Sequence, residues 1–230
     1  MPKKLFSWSF SRYNVYSKCP AQAKYKFIDK LGEPGSPALD HGSEVHDQID
    51  EFIIGKLKRL CDSARPSIDT IKMARKLYKK GVTAEPGCTW AFKKDWSKTT
   101  WDDWFGCWLR IKVDHAAVVD GRLIIKDWKT GAYRPYNVNE YMEQLELYVV
   151  GGFLTYPDVQ EVEVSLEYVE HGTQYPEIPM VYKRKQLKLL QAKWENKSRA
   201  MLNDTVYKAT PHSLCRFCHF RKDNGGPCAY

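Results

Sequence analysis

No stretch of the 230-residue sequence approaches the roughly 20 consecutive apolar residues that a membrane-spanning helix requires. The N-terminal segment MPKKLFSWSFSRYNVYSKC is basic, but it lacks the continuous apolar core of a signal peptide. We therefore expect an intracellular, cytoplasmic protein that has no membrane partner.

Internal repeats, low-complexity tracts and Ser/Gly-rich linkers, which would divide the chain into modules, are also missing from the sequence. A hydrophobic content of 43% with 28% charged residues is ordinary for a globular protein, so disorder is not expected. A chain of this length can bury a sizeable core. The sequence therefore predicts a single domain over residues 1–230.

Acidic residues are outnumbered: 36 Lys and Arg stand against 28 Asp and Glu, which gives a net charge of +8 and a pI near 9.0. Such an excess favours polyanionic partners, because each phosphate that is neutralised releases counterions. The basic residues are spread along the chain, as on ordinary solvated helix faces. Charge alone is therefore weak evidence for a nucleic-acid partner.

The seven cysteines are unevenly distributed, and in a cytosolic chain they favour metal binding over a disulfide framework. Cys215 and Cys218 form a Cys-x2-Cys pair, nine residues separate Cys218 from Cys228, and Cys19 precedes Pro20. Four cysteines suit a tetrahedral Zn²⁺ or an iron–sulfur cluster equally well.

The remaining residues near these motifs have other expected roles. His219 could replace a cysteine if the site holds zinc. Cys61, Cys88 and Cys107 lie in segments typical of core or strand, so we expect inert, buried thiols there.

Hydrophobic periodicity predicts a mixed α/β layout. A helical part (1–82) precedes a core of strands and helices (83–208) and a Cys-rich tail (209–230). Helices are expected near residues 9–31 (entered through Ser11), 41–60, 67–80, 137–153 and 183–204, and strands near 83–94, 104–119, 122–128 and 161–170.

The segment WLRIKVDHAAVVDGRLIIKDWKTG (108–131) predicts a β-hairpin that turns at Asp120-Gly121. Asp114 is expected at the end of one strand, and Asp127 and Lys129 on one face of the next. Two carboxylates beside an ammonium are costly to bury unless a cation is present, and their oxygens suit Mg²⁺ or Mn²⁺. The alternative is a surface hairpin with solvated ion pairs.

Two helices carry further candidates. His46 lies on the helix 41–60, although a lone histidine is more often a satisfied or exposed residue. Gln144 and Tyr148 are four residues apart and share one face of the helix 137–153, which would also suit an ordinary amphipathic helix.

In order along the chain, Gly42-x-x-x-His46, Asp114, Asp127-Trp128-Lys129-Thr130-Gly131 and Gln144-x-x-x-Tyr148 resemble the RecB-like PD-(D/E)XK nucleases. That branch includes the AddB nuclease domain, the CRISPR-associated RecB-like exonucleases and many phage exonucleases. The resemblance implies a restriction-endonuclease-like α/β core, with a mixed central sheet flanked by helices. It also implies a metal-dependent DNA exonuclease in end processing, recombination, repair or phage DNA metabolism.

By this resemblance, His46, Asp114 and Asp127 are metal ligands together with the Trp128 carbonyl, Lys129 is the catalytic lysine, and Gln144 and Tyr148 orient Lys129 or contact the scissile strand. Asp127 stands where many relatives carry Glu, so the carboxylate is one methylene shorter. An alternative is an accessory DNA-binding protein that kept the fold and lost catalysis, although the complete set of acidic residues and lysine speaks against it.

The resemblance also implies that Cys19, Cys215, Cys218 and Cys228 hold a [4Fe-4S] cluster that joins the tail to the N-terminal region. The gap before Cys228 is longer than is usual in relatives, which leaves room for Zn²⁺ at this four-cysteine site. A purely structural iron–sulfur or zinc protein would leave the hairpin constellation unexplained. The expected partner is DNA, as single strands or duplex ends, and a homo-oligomer or a recombination partner protein stays open.

Overall fold

A computed structural model describes residues 4–81, 84–175 and 179–230. Six α-helices are described: α1 (Phe10–Lys18), α2 (Pro20–Ala23), α3 (Pro37–Ile54), α4 (Ile68–Lys79), α5 (Val138–Thr155) and α6 (Leu187–Asn203). Six strands are described: β1 (Ala84–Phe92), β2 (Lys98–Thr99), β3 (Leu109–Val119), β4 (Arg122–Lys129), β5 (Glu161–Tyr168) and β6 (Met180–Lys183).

The strands form one mixed sheet in the order β2-β1-β3-β4-β5-β6. Only β4 and β5 are parallel among the described pairs, and α5 makes the crossover between them. A parallel pair requires such a crossover, which places a helix on the face of the sheet. The expected mixed α/β sheet flanked by helices is confirmed.

Helices pack on both faces of the sheet, and the buried hydrophobic residues form two clusters. The larger cluster joins α5, α6 and the N-terminal segment to the central strands, and it includes Trp8, Trp194 and Ile125. The smaller cluster packs α3 and α4 around the buried ring of Trp128. Successive side chains of a strand face opposite sides, so β4 directs Trp128 to α3 and its neighbours Asp127 and Lys129 to α5.

The predicted hairpin forms β3 and β4, with Val119 opposite Arg122 in the register. Asp120 and Gly121 both have positive φ, +49° and +78°. Two such residues define a type I′ turn, whose twist matches that of the flanking strands. The turn fixes the register that brings Asp114 towards Asp127.

The prediction of one short helix over residues 9–31 is wrong. The side chain of Ser9, rather than Ser11, caps α1 by accepting from Arg12 N. The backbone of Cys19 is extended (φ −156°, ψ 107°) because the ring of Pro20 disfavours helical geometry in the preceding residue. The helix then restarts as α2 and passes into a π-helical turn, Lys24–Ile28.

Helix α3 begins and ends earlier than the predicted 41–60. The Ser36 side chain accepts from Leu39 N and caps the first turn, which begins at Pro37. The helix stops at Gly55, whose φ of +89° is left-handed and inexpensive only for glycine. Glycine at this position is a common helix terminator.

Other boundaries differ as well. Residues 104–108, predicted as the start of a strand, precede β3, and the helix predicted from 183 begins at Leu187. The edge strands β2 and β6, with two and four residues, are too short to be predicted from periodicity. The boundary at 82/83 and the first residue of the predicted strand 83–94 lie outside the described residues.

Within the described ranges, no helix combines the length and the apolar character that crossing a bilayer would demand.

Candidate active site

The two strands of the hairpin separate at the position of the acidic pair. The β3–β4 ladder ends at His115–Lys126, and beyond it the Oδ2 atom of Asp114 accepts a hydrogen bond from Trp128 N (2.9 Å). Asp114 therefore lies inside β3, five residues before the end of that strand, and not at its end as predicted. The carboxylate of Asp114 enters the space that the missing ladder bonds leave open.

Asp127 is buried, with 2% of its surface exposed. Its Oδ2 atom lies 2.6 Å from the Lys129 ammonium, and its Oδ1 atom accepts from the Tyr148 hydroxyl (3.2 Å). A buried carboxylate needs such compensation, since desolvation disfavours its charged form. The i, i+2 spacing on β4 provides the ion pair directly.

Helix α5 holds the lysine in place through its Gln144–Tyr148 face. The Gln144 side chain accepts from Lys129 Nζ (3.2 Å) and donates to the Tyr148 hydroxyl (2.5 Å). The Lys129 ammonium also lies 4.6 Å from the ring centre of Tyr141, one turn earlier on the helix. Residues at helical spacing on α5 thus contact the ammonium through Gln144 and Tyr141, and Asp127 through Tyr148.

Helix α3 contributes His46, whose Nδ1 atom lies 3.1 Å from Asp114 Oδ1. The approach of this helix depends on Gly42, because a Cβ atom there would lie only 3.1 Å from the Thr130 hydroxyl. The Gly-x-x-x-His spacing therefore has a packing reason: glycine lets the second turn of α3 approach Thr130, the residue that follows β4.

Asp50 also faces this site, although it is not among the residues predicted from the sequence. It lies one helical turn after His46, and its Oδ2 atom would be 3.0 Å from a Cβ atom added at Gly87 of β1. Burial, followed by the charge of Asp114, raises the pKa of Asp50 to about 6. The i, i+4 spacing from His46 is the signal that could have identified it.

Protonation equilibria at the site reflect an excess of carboxylates. Burial raises the pKa of Asp127, and Asp114 adds to the shift although Lys129 opposes it. Burial tends to lower the pKa values of His46 and Lys129, but Asp114 and Asp127 respectively outweigh it, so both are raised. Three carboxylates are thus clustered around one ammonium and one imidazole, which leaves the site suited to one more cation.

Asp50→Asn is expected to raise the free energy of unfolding of the metal-free protein by about 1 kcal/mol at pH 8, after allowance for solvent screening. The folded-state pKa of about 6 exceeds the ordinary value of 3.8. The Asp50 carboxyl therefore begins to destabilise the fold as the pH rises from 4 to 6, and the destabilisation reaches its full size above pH 6. Urea unfolding in EDTA at pH 8 and pH 4 measures this effect. It should vanish at pH 4, where Asp50 is protonated.

Asp47→Asn is the matched control: Asp47 is exposed on the same helix and is the weakest of the causes that shift the pKa of Asp50, so it should give a much smaller gain. A loss of stability in Asp50→Asn at pH 8 would contradict the assignment of Asp50 to the crowded carboxylate cluster.

Trp128 presents its backbone to the site and its ring to the opposite core. Its N–H points towards Asp114, and the carbonyl of a strand residue points to the same side as its N–H. The carbonyl is therefore directed to the gap between β3 and β4.

The structure thus brings together the seven residues singled out on the hairpin, α3 and α5. Across residues 4–81, 84–175 and 179–230, however, no three His, Cys, Asp or Glu side chains are arranged as a ready ligand set for one metal ion. The Lys129 ammonium, at 2.6 Å, occupies one oxygen of Asp127. The hard oxygen donors and the surplus of negative charge nevertheless fit a Mg²⁺-like ion.

The four cysteines of the predicted cluster line a single cavity of about 240 Å³ between α2 and the C-terminal tail. Burial raises the pKa of the Cys218 thiol, and the charges of Cys19, Cys228 and Cys215 raise it further. The backbone N–H of His212 donates to Cys215 Sγ (3.3 Å). Four cysteines gathered at one cavity suit a cationic metal centre, which binds them as thiolates.

The long gap before Cys228 is a folded loop. Cys228 N donates to Phe220 O, and Lys222 N donates to Cys228 O, both at 2.8 Å. Gly226 lies so close to the Phe220 backbone that an added Cβ would be only 2.2 Å from its carbonyl carbon. This close approach returns Cys228 to the cavity. Cys88 and Cys107 are buried, whereas Cys61 is half-buried.

Comparisons with known proteins give one matching family and several similar solved structures. The sequence profile of the PD-(D/E)XK nuclease superfamily matches residues 7–222. The chain is similar to the crystal structure of a predicted exonuclease from Eubacterium rectale, with a TM-score of 0.53, 14% identity and coverage of 93% of this chain and 87% of that chain. It is also similar to the crystal structure of SSO0001, with a TM-score of 0.50, 10% identity and coverage of 96% and 86%.

No curated protein matches the chain by sequence similarity. The identities with the solved structures are low, so those structures show only that the fold is shared. The superfamily profile, by contrast, spans all but the ends of the sequence and includes every motif of the site. The chain belongs to the PD-(D/E)XK nuclease superfamily.

Proposed function

We propose that the chain is a metal-dependent DNA exonuclease of the RecB-like branch, which hydrolyses phosphodiester bonds during DNA end processing, recombination or repair. The observation that carries the proposal is the buried Asp127–Lys129 pair, with Asp114 opposite it and Gln144 and Tyr148 around it. A structural hairpin has no need to place a buried carboxylate, a half-buried carboxylate and an amine together at a sheet opening. The similarity to a predicted exonuclease is consistent with this activity.

Mg²⁺ or Mn²⁺ would be held by Asp114, Asp127 and the Trp128 carbonyl, with His46 as a further ligand. When bound, the ion supplies a water of lowered pKa and charge neutralisation at the phosphate. The protein keeps the carboxylates in place, because Trp128 N holds Asp114 and the Tyr148 hydroxyl holds Asp127. Lys129, beside Asp127, would face the substrate phosphate.

Lys129 is suited to remain positively charged throughout phosphodiester hydrolysis. Since its pKa is raised by Asp127, it is protonated at neutral pH and can donate to the negative charge that develops on the phosphate oxygens. Gln144 limits the positions of the ammonium. This pre-organisation reduces the reorganisation that the reaction itself would require.

The cysteine cavity supports the second part of the proposal, a [4Fe-4S] cluster held by Cys19, Cys215, Cys218 and Cys228. The cavity of about 240 Å³ supports a shared metal centre because all four cysteines line it. The N–H bond to Cys215 is of the kind that stabilises cluster sulfurs. We place the protein in the cytoplasm, where such clusters and linear DNA ends occur together.

The experiment that tests the activity is digestion of end-labelled linear DNA in Mg²⁺, in Mn²⁺ and in EDTA. We expect nucleotides or short oligonucleotides in either metal, none in EDTA, and no cleavage of a covalently closed circle. Binding without hydrolysis in every metal would reject the nuclease and indicate an accessory DNA-binding protein. Cleavage of the circle would reject the exonuclease assignment.

A further inference from the structure

A pocket of about 380 Å³ opens directly beside the Gln144–Tyr148 face of the candidate active site. Its walls are the N-terminal segment, β3 and α5. The N-terminal segment is fixed there because Trp8 pairs with Leu109: Trp8 N donates to Trp108 O (2.8 Å), and Arg110 N donates to Trp8 O (2.9 Å). Gln144 and Tyr148 are shared with the candidate active site, but the N-terminal wall and Arg110 have no role in the proposed hydrolysis.

The pocket lining is positively charged, with Arg12, Arg110 and Lys112 and no carboxylate. Both guanidinium groups donate to the Ser7 side chain, at 3.1 Å from Arg12 and 2.9 Å from Arg110, so they lie side by side. Within the described part of the chain, neither arginine forms an ion pair with Asp or Glu. Two adjacent, uncompensated guanidinium groups favour an anionic ligand, and their geometry suits a phosphate.

Exposed aromatic rings continue from the mouth of this pocket. The Arg110 guanidinium lies 5.7 Å from the ring centre of Trp101 and 5.9 Å from that of Trp104. Trp104 is 77% exposed and the neighbouring Phe105 is 92% exposed. Large rings rarely remain this exposed in a cluster without a ligand that covers them.

We propose that the Arg12–Arg110 pair and the Trp101–Trp104 rings form a binding site for single-stranded DNA, with a backbone phosphate at the arginines and bases stacked on the tryptophans. A single strand presents both groups at once, whereas a duplex keeps its base faces inside its own stack. Phosphate at the pocket places the following phosphodiester towards Tyr148 and Asp127. This inference rests on the proposed nuclease function, and it identifies single-stranded DNA as the preferred substrate.

The test measures binding in EDTA, so that hydrolysis plays no part. Fluorescence anisotropy gives the Kd of a labelled oligothymidine for the full-length protein and its variants. Trp104→Ala is expected to weaken binding about tenfold, as for the loss of one stacked base. Leu189→Ala is the matched control because Leu189 is an equally exposed apolar residue on α6, and it should bind as the parent does.

Arg110→Gln is expected to weaken binding about tenfold and to lower the slope of log Kd against log salt by about 0.7, the value for one phosphate contact on a single strand. Lys188→Gln removes the same charge from the exposed start of α6 and should change neither quantity. A blunt hairpin duplex should bind the parent protein more weakly than the oligothymidine and should be insensitive to Trp104→Ala.

Unchanged oligothymidine affinity in both Trp104→Ala and Arg110→Gln would overturn the proposal. Equal sensitivity of the duplex and the single strand to Trp104→Ala would do the same. Both measurements are independent of catalysis. If the parent protein fails to cleave DNA but the variants still bind oligothymidine more weakly, the proposed nuclease activity is contradicted and the binding site is retained.

Discussion

Asp127→Asn is expected to lower the rate of DNA hydrolysis by about 10³-fold while the protein stays folded. The substitution keeps the size of the side chain and its contact with the Tyr148 hydroxyl, but it removes the charge that would hold a divalent ion. Removing one charged ligand from a pre-organised site costs this order of magnitude because its effect falls on the transition state. Digestion of end-labelled DNA in Mg²⁺, with circular dichroism as a check on folding, measures the effect.

Asp120→Asn provides the matched control. Asp120 lies on the same hairpin, is exposed and adopts the positive φ that asparagine also tolerates. It should digest DNA at the parental rate. Hydrolysis by Asp127→Asn at more than a tenth of that rate would exclude Asp127 from the reaction, whatever the similarity of the fold to nucleases.

Cys19→Ser is expected to cause the largest loss of stability, roughly 5 kcal/mol. A metal centre that joins Cys19 to Cys215 closes a loop of about 200 residues, and such a closure restricts the unfolded chain by that amount in the chain-entropy model. This loss is comparable to the net stability of a typical domain. Urea denaturation under anaerobic conditions, together with iron and zinc content and the absorption spectrum, measures the effect.

Cys61→Ser is the control, since Cys61 is half-buried and does not line the cysteine cavity. It should retain the metal content of the parent and lose little stability. A Cys19→Ser protein that keeps its metal and its denaturation midpoint would reject the cluster as a clamp. Zinc in place of iron in the parent protein would retain the clamp and reject the iron–sulfur assignment.

Local signals were sufficient to predict the hairpin and its acidic pair. Asp120-Gly121 dictates a type I′ turn, and the turn fixes the register between β3 and β4. The i, i+4 spacing of Gln144 and Tyr148 likewise fixes which face of α5 meets Lys129. Hydrophobic periodicity and the residue preferences of turns depend on only a few neighbouring residues, so both can be recognised in the sequence.

Features that depend on distant contacts could not be predicted in this way. Arg12 and Arg110 meet at Ser7 only because Trp8 bridges to β3, and no local pattern contains that bridge. The location of Asp114 inside β3 depends on where the ladder with β4 opens, which is a property of two strands and not of one. The position of Cys228 similarly depends on how Gly226 packs against Phe220.

The central claim is that a divalent ion binds between the carboxylates of Asp114 and Asp127, and anomalous diffraction from a crystal soaked in Mn²⁺ tests it most directly. We expect one strong peak about 2.1 Å from an oxygen of each carboxylate, with Lys129 moved away from Asp127. An anomalous map with no peak between the two carboxylates, in crystals where Lys129 still pairs with Asp127, would contradict the account.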